Sequence, residues 1–90
     1  VNTATSGTGA VRVIKKYPNR RLYDTAESRY VTFDHIRGLV YAGVQFIVVE
    51  RWSQLDVTND VLMQTIVEQE RKLPRLNKQF LLGLILEQRS

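Results

Sequence analysis

The sequence predicts an α+β domain: short N-terminal β-strands forming a hairpin, a helix, a central strand and two C-terminal helices. Three observations carry this. Val11 to Tyr17 is dense in β-branched and aromatic residues and runs into Pro18-Asn19, a turn signal. Two helix starts echo each other at Val31-Thr32-Phe33-Asp34 and Val57-Thr58-Asn59-Asp60. Between them, Gln45 to Glu50 is rich in β-branched residues.

In chain order, Val11 to Tyr17 reads as the first strand. Pro18 presets φ at the first central turn position, and Asn19 tolerates positive φ at the second. Arg21 to Asp24 is a short second strand, Thr25 to Ser28 a polar loop, and Arg29 to Val31 a return to extended chain. At each helix start a threonine is placed to cap free amides, and an aspartate sits in the first turn, where the helix dipole favours it. The preceding valine is placed to pack on the apolar residue five positions later. The echo is shared helix-start chemistry, too short to establish a repeat. The first helix runs to about Ala42 and stops at Gly43, with Ile36, Leu39 and Val40 as its apolar stripe. Arg51 to Asp56 is a loop. The second helix, about Asn59 to Lys72, turns Leu62, Met63, Ile66 and Val67 inward and is broken at Pro74. The last, about Leu76 to Gln88, is apolar nearly all round, so something is expected to cover it.

Composition bounds the function. Ninety residues suit one domain, and a chain this short buries only about 60–65% of the surface its unfolded form exposes. A second copy of the chain is therefore the expected cover for the last helix, through Phe80, Leu81, Leu84 and Ile85. There is no cysteine, which fits a reducing cytoplasm. No apolar run is long enough for a membrane span. Residues 1–10 read as a flexible Thr/Ser/Gly-rich tail, with no charge and no apolar segment of the signal-peptide kind. With the helical pattern running up to Ser90, a chain cut from a longer one is the expectation.

Charge is concentrated. Six basic residues lie between Arg12 and Arg29, opposed only by Asp24 and Glu27, while the rest of the chain balances. The whole net charge of +4 therefore sits in one segment. A localised excess of this kind suits a polyanion, although a solvated face produces the same pattern. Lys15, Lys16 and Arg29 suit phosphates, and Arg20 and Arg21, beside a tight turn, suit base edges, with Asn19 as a further contact. A two-stranded ribbon fits the major groove. Tyr17, Tyr23 and Tyr30 are expected to be half-buried core.

Catalysis finds little support. His35 is the single histidine, placed as an ordinary surface residue in the first turn of a helix, and the carboxylates are spread singly. Metal sites of the zinc kind want clustered Cys and His. Gly7-Thr8-Gly9 is no phosphate loop, since it follows no strand and opens no helix. No cofactor-binding motif is present.

The run Ile14-Lys15-Lys16-Tyr17-Pro18-Asn19-Arg20-Arg21-Leu22-Tyr23-Asp24-Thr25, followed by Ser28-Arg29-Tyr30-Val31-Thr32, resembles the N-terminal domain of the polyhydroxyalkanoate synthesis repressors, also called polyhydroxybutyrate accumulation regulators. The likeness continues at Phe46-Ile47-Val48-Val49, Asp56-Val57-Thr58 and Ile66-Val67-Glu68-Gln69-Glu70. From Asn77 to Leu86 the chain is similar to the start of the family's polymer-associated region. It departs at Arg51-Trp52-Ser53-Gln54-Leu55, where a short Lys/Gly-containing turn is commoner, and at Lys72-Leu73-Pro74-Arg75, a shorter linker. The resemblance implies a bacterial repressor of polymer-storage and granule-coat genes that releases promoter DNA on binding nascent polymer. With the tail (1–10) outside it, the expected division is a DNA-binding domain (11–72) and the start of a polymer-associated or oligomerisation region (73–90). The partners the resemblance implies are double-stranded promoter DNA and, for the full-length protein, the polymer or granule surface; the apolar last helix adds the expectation of further copies of the chain, as dimer or tetramer. The expected location is the cytoplasm, with the granule as a second expected site for the full-length protein, and no membrane is expected as a partner. The competing expectation is a protein- or granule-interaction module using the apolar last helix and Trp52.

Overall fold

A computed structural model describes residues 10–88. All but one residue of the expected N-terminal tail therefore lie outside the described residues. The elements are β1 (Arg12–Tyr17), β2 (Arg21–Asp24), β3 (Arg29–Val31), α1 (Phe33–Tyr41), β4 (Phe46–Glu50), α2 (Thr58–Lys72) and α3 (Lys78–Glu87). The class is α+β, with one mixed four-stranded sheet in the order β3-β2-β1-β4. β1 pairs antiparallel with β2 and parallel with β4, so the two central strands come from the basic segment.

The hairpin joining β1 and β2 turns on Asn19, whose φ of 65° is left-handed, as the Pro-Asn signal predicts. Arg20 follows at φ 64°. Asparagine tolerates this region and a β-branched residue does not. Asn19→Val is accordingly expected to lower stability by about 1–2 kcal/mol, with Asn19→Gly near neutral, as read from thermal unfolding. Gly43, at φ 72°, ends α1 where expected.

Side chains alternate along a strand, so the sheet has two unlike sides. Ile14, Leu22 and Val48 point one way and are covered by Ile36 and Leu39 of α1 and Val61 of α2, which together form the fully enclosed core. Val31, Phe33, Val57 and Leu62 pack around it.

The threonines do something other than cap. Thr32 makes no capping hydrogen bond with its side chain. Thr58 lies inside α2, where its hydroxyl oxygen accepts from the Val48 amide at 2.8 Å, tying the helix to β4. That tie sets the rotation of α2. Val61 and Thr65 become its buried positions, while Met63, Ile66 and Val67, expected to face inward, are exposed. Val40 of α1 is likewise exposed. α3 starts at Asn77, whose side-chain carbonyl accepts from the Phe80 amide at 2.8 Å, and is exposed along its whole length.

Candidate nucleic-acid interface

The alternation that aims Ile14 and Leu22 at the core sends Val13, Lys15 and Tyr17 of β1, Arg21 and Tyr23 of β2, Tyr30 of β3 and Ile47 and Val49 of β4 to the opposite side. Among the described elements α1 and α2 pack on the core side, and this second side carries neither. Its strand positions hold basic, aromatic and aliphatic residues and no carboxylate. Lys15 and Arg21 have no carboxylate partner among the described residues. The Arg21 guanidinium instead lies over the Tyr30 ring, 4.2 Å from its centre. Tyr30 meets Tyr23 and Tyr17 edge-on at 5.2 and 5.7 Å. The tyrosines are thus not part of the enclosed core. They form a half-exposed aromatic patch on the face that is free of the core helices α1 and α2, the helix-free face.

The other cations of the basic segment go elsewhere. Lys16 shares the helix side with Glu50, its register partner. Glu50 is held below the ordinary carboxylate range first by hydrogen bonds from Ser53, with Lys16 adding to the effect. Arg20 turns back over the helices, hydrogen-bonded to Glu68 and stacked 5.2 Å from the centre of Phe33. That bond is the main cause holding the Glu68 carboxyl low. Arg29 donates to Glu27 at 2.7 Å. Asn19 is exposed on the turn. A groove of about 280 Å³ lies between Arg20, Arg21, Tyr30 and Phe33 at the open edge of β3. The six predicted contact residues therefore do not converge: Lys15 and Arg21 share the helix-free face, and Lys16, Arg20 and Arg29 stand beside carboxylates away from it.

Two features escaped the sequence. Arg51 follows β4 and adds a third cation to the helix-free face, stacked on Tyr17 and Trp52 at 5.2 and 4.9 Å. Nothing local marks it, because its side is decided by pairing with β1. The second is a polar clasp. Asp24 is fully buried and accepts from Arg12 at 3.1 Å, from the Ala26 and Glu27 amides at 2.9 and 3.3 Å, and lies 2.8 Å from His35 Nε2. Burial pushes its carboxyl up, but the His35 bond, the two amides and the Arg12 charge outweigh that and hold it below the ordinary range. His35 is therefore a largely buried partner of Asp24, not the free surface histidine expected. Asp24, Glu27 and His35 bring ligand-type atoms within 4.8 Å of one another. The Arg12 guanidinium reaches both carboxylates, at 3.1 and 3.7 Å, and is the positive charge that this trio already holds.

No helix among the described residues is long and apolar enough to cross a membrane. No solved structure matches this chain. Two curated relatives are each 49% identical over 59 residues, 66% of this chain. One, from Allochromatium vinosum, is named only as an uncharacterized protein. The other, from Thiocystis violacea, is named as an uncharacterized protein in the phbA 5′ region. The chain spans 39% and 43% of their lengths. Residues 13–72, two thirds of the chain and all of the sheet but Arg12, match one family model. The chain belongs to the PHB/PHA accumulation regulator DNA-binding domain family.

Proposed function

We propose that this chain is the DNA-contacting domain of a bacterial repressor that binds promoters of polyhydroxyalkanoate-storage and granule-coat genes. It works in the cytoplasm as a binding module, not an enzyme. The observation carrying this is the helix-free side of the sheet, where Lys15, Arg21 and Arg51 stand together with no carboxylate on any strand position. Unpaired cations on one side suit a phosphate-lined partner, and a residue already paired inside the fold must break that pair to join them. Lys15 holds a phosphate. Asn19 stands at the turn, within the same end of the sheet. Lys16, Arg20 and Arg29, named from sequence as contacts, take part only at the margin.

Salt tests it. Each phosphate neutralised contributes a slope of about −0.9 in log affinity against log salt. A duplex-binding titration is expected to fall with a slope of about −1 or steeper, set first by the phosphate that Lys15 neutralises. A flat titration would end the DNA proposal.

α3 supports a second element. Phe80, Leu81, Leu84 and Ile85 are each between 41% and 64% exposed, a large apolar surface for a helix in water. In our proposal this helix joins copies, so that paired modules meet two-fold-related sites. A single monomer mass in sedimentation at high concentration would remove that element. The same surface favours the competing function of a protein- or polymer-granule-interaction module in the full-length protein. Binding of that kind barely weakens with salt, so the titration separates the two.

A further inference from the structure

The helix-free face ends on one row of three side chains. The Arg51 amide donates to the Lys16 carbonyl at 2.9 Å. The parallel register of Lys16 with Glu50 thereby continues and sets Arg51 beside Tyr17. Tyr17 in turn pairs with Arg21 across the hairpin. Two arginines thus flank one tyrosine from the strands on either side. Each is stacked, Arg51 on Tyr17 and Trp52 and Arg21 on Tyr30, and neither meets a carboxylate among the described residues. Tyr17 and Tyr30 touch, so the stack is continuous from Trp52 to Arg21.

A guanidinium laid on a ring has given up rotamer freedom before any ligand arrives, and its N–H edge remains open to acceptors in its own plane. Two strand spacings separate the arginines, about 10 Å, close to three base steps of about 3.4 Å. We propose that Arg21 and Arg51 are paired two-pronged donors that read base edges of duplex DNA from this face, with guanine edges as the acceptors that fit them best. This deepens the DNA function above, rests on it, and adds a specificity residue outside the basic N-terminal segment. The occupant is duplex rather than single strand. Stacking of unpaired bases needs open ring faces, and here the rings meet edge to face and carry guanidinium groups on them.

The test lets the full chain select a duplex from a random pool. Affinity at one salt concentration is then measured for that duplex, for an unrelated duplex and for the selected strand alone. Arg51→Ala, Arg51→Lys and Arg21→Lys are each expected to weaken the selected duplex roughly 5- to 150-fold. The lysine variants, which keep the charge, leave the unrelated duplex nearly unchanged. Arg71→Ala, on α2 beside Glu68, leaves both unchanged. Should Arg51→Ala unfold, Arg51→Lys decides. If the parent chain discriminates between duplexes and Arg51→Lys discriminates equally well, the assignment is overturned while DNA binding stands. If the parent chain holds neither duplex, the DNA function fails and takes the assignment with it. Tighter binding to the lone strand overturns the duplex as occupant.

Discussion

Asp24→Ala is expected to cost about 3–5 kcal/mol of folding stability, the range for breaking a buried charge pair from one side. A domain of this length carries roughly 5–13 kcal/mol in all, so the loss takes a large share of the total and is expected to lower the unfolding temperature markedly. Asp24 is fully enclosed, and its oxygens meet Arg12 of β1, His35 of α1 and the amides of the loop after β2. The alanine variant leaves the guanidinium and the imidazole without their shared acceptor and frees the loop amides. The same carboxylate gives an acid limb. Its pKa is lowered in the folded state, so the stability it contributes is complete above the ordinary aspartate value of about 3.9. That stability is lost as pH falls through the lower folded value. Asp34, Glu50, Asp56 and Glu68 are lowered too, by exposed hydrogen bonds, and add to the limb. Urea unfolding at a series of pH values is expected to give Asp24→Asn a lower plateau and a shallower acid limb than the parent. Identical limbs would show that Asp24 is not what acid acts on.

The double charge reversal Lys15→Glu with Arg21→Glu is expected to weaken duplex binding by roughly 30-fold to 20,000-fold. That follows from two contacts of about 1–3 kcal/mol each. Both residues lie on the side without α1 and α2, neither is part of the enclosed core, and neither holds an internal ion pair among the described residues. The fold is expected to survive, as thermal unfolding checks. The reversal Arg29→Glu has the same charge change as Lys15→Glu or Arg21→Glu made singly, but falls on a residue bonded to Glu27, and is expected to weaken binding far less than either. The single reversals therefore separate a local contact face from a net-charge effect. Equal losses from single reversals at Lys15, Arg21 and Arg29 would mean that bulk charge, not this face, drives association.

Much of the architecture was legible in the residues. The β-branched runs, the Pro18-Asn19 turn and Gly43 placed four strands and three helices in the right order, because strands, turns and helix ends are encoded over a few neighbouring residues. The helix rotations were less legible. Met63, Ile66 and Val67 look inward-facing by hydropathy, yet the hydrogen bond from the Val48 amide to Thr58 turns α2 so that Val61 and Thr65 are enclosed. The partners of the charges were not legible at all. Glu68 lies 48 residues from Arg20, and no local pattern pairs them. Asp24 and His35 likewise read as single, exposed groups until the hairpin and α1 bring them together.

By itself, the sequence determined the α+β class, the concentration of positive charge before residue 30, and the family, all of which are properties of short segments read in order. Tertiary structure alone decided which cations remain available. The parallel pairing of β1 with β4 carries Arg51 to Tyr17, and the placing of both core helices on one side leaves Lys15 and Arg21 on the other. The physical reason is alternation. Neighbouring residues on a strand point to opposite sides of the sheet, so Lys15 and Lys16, or Arg20 and Arg21, are equivalent as sequence and become opposite once the core has chosen its side.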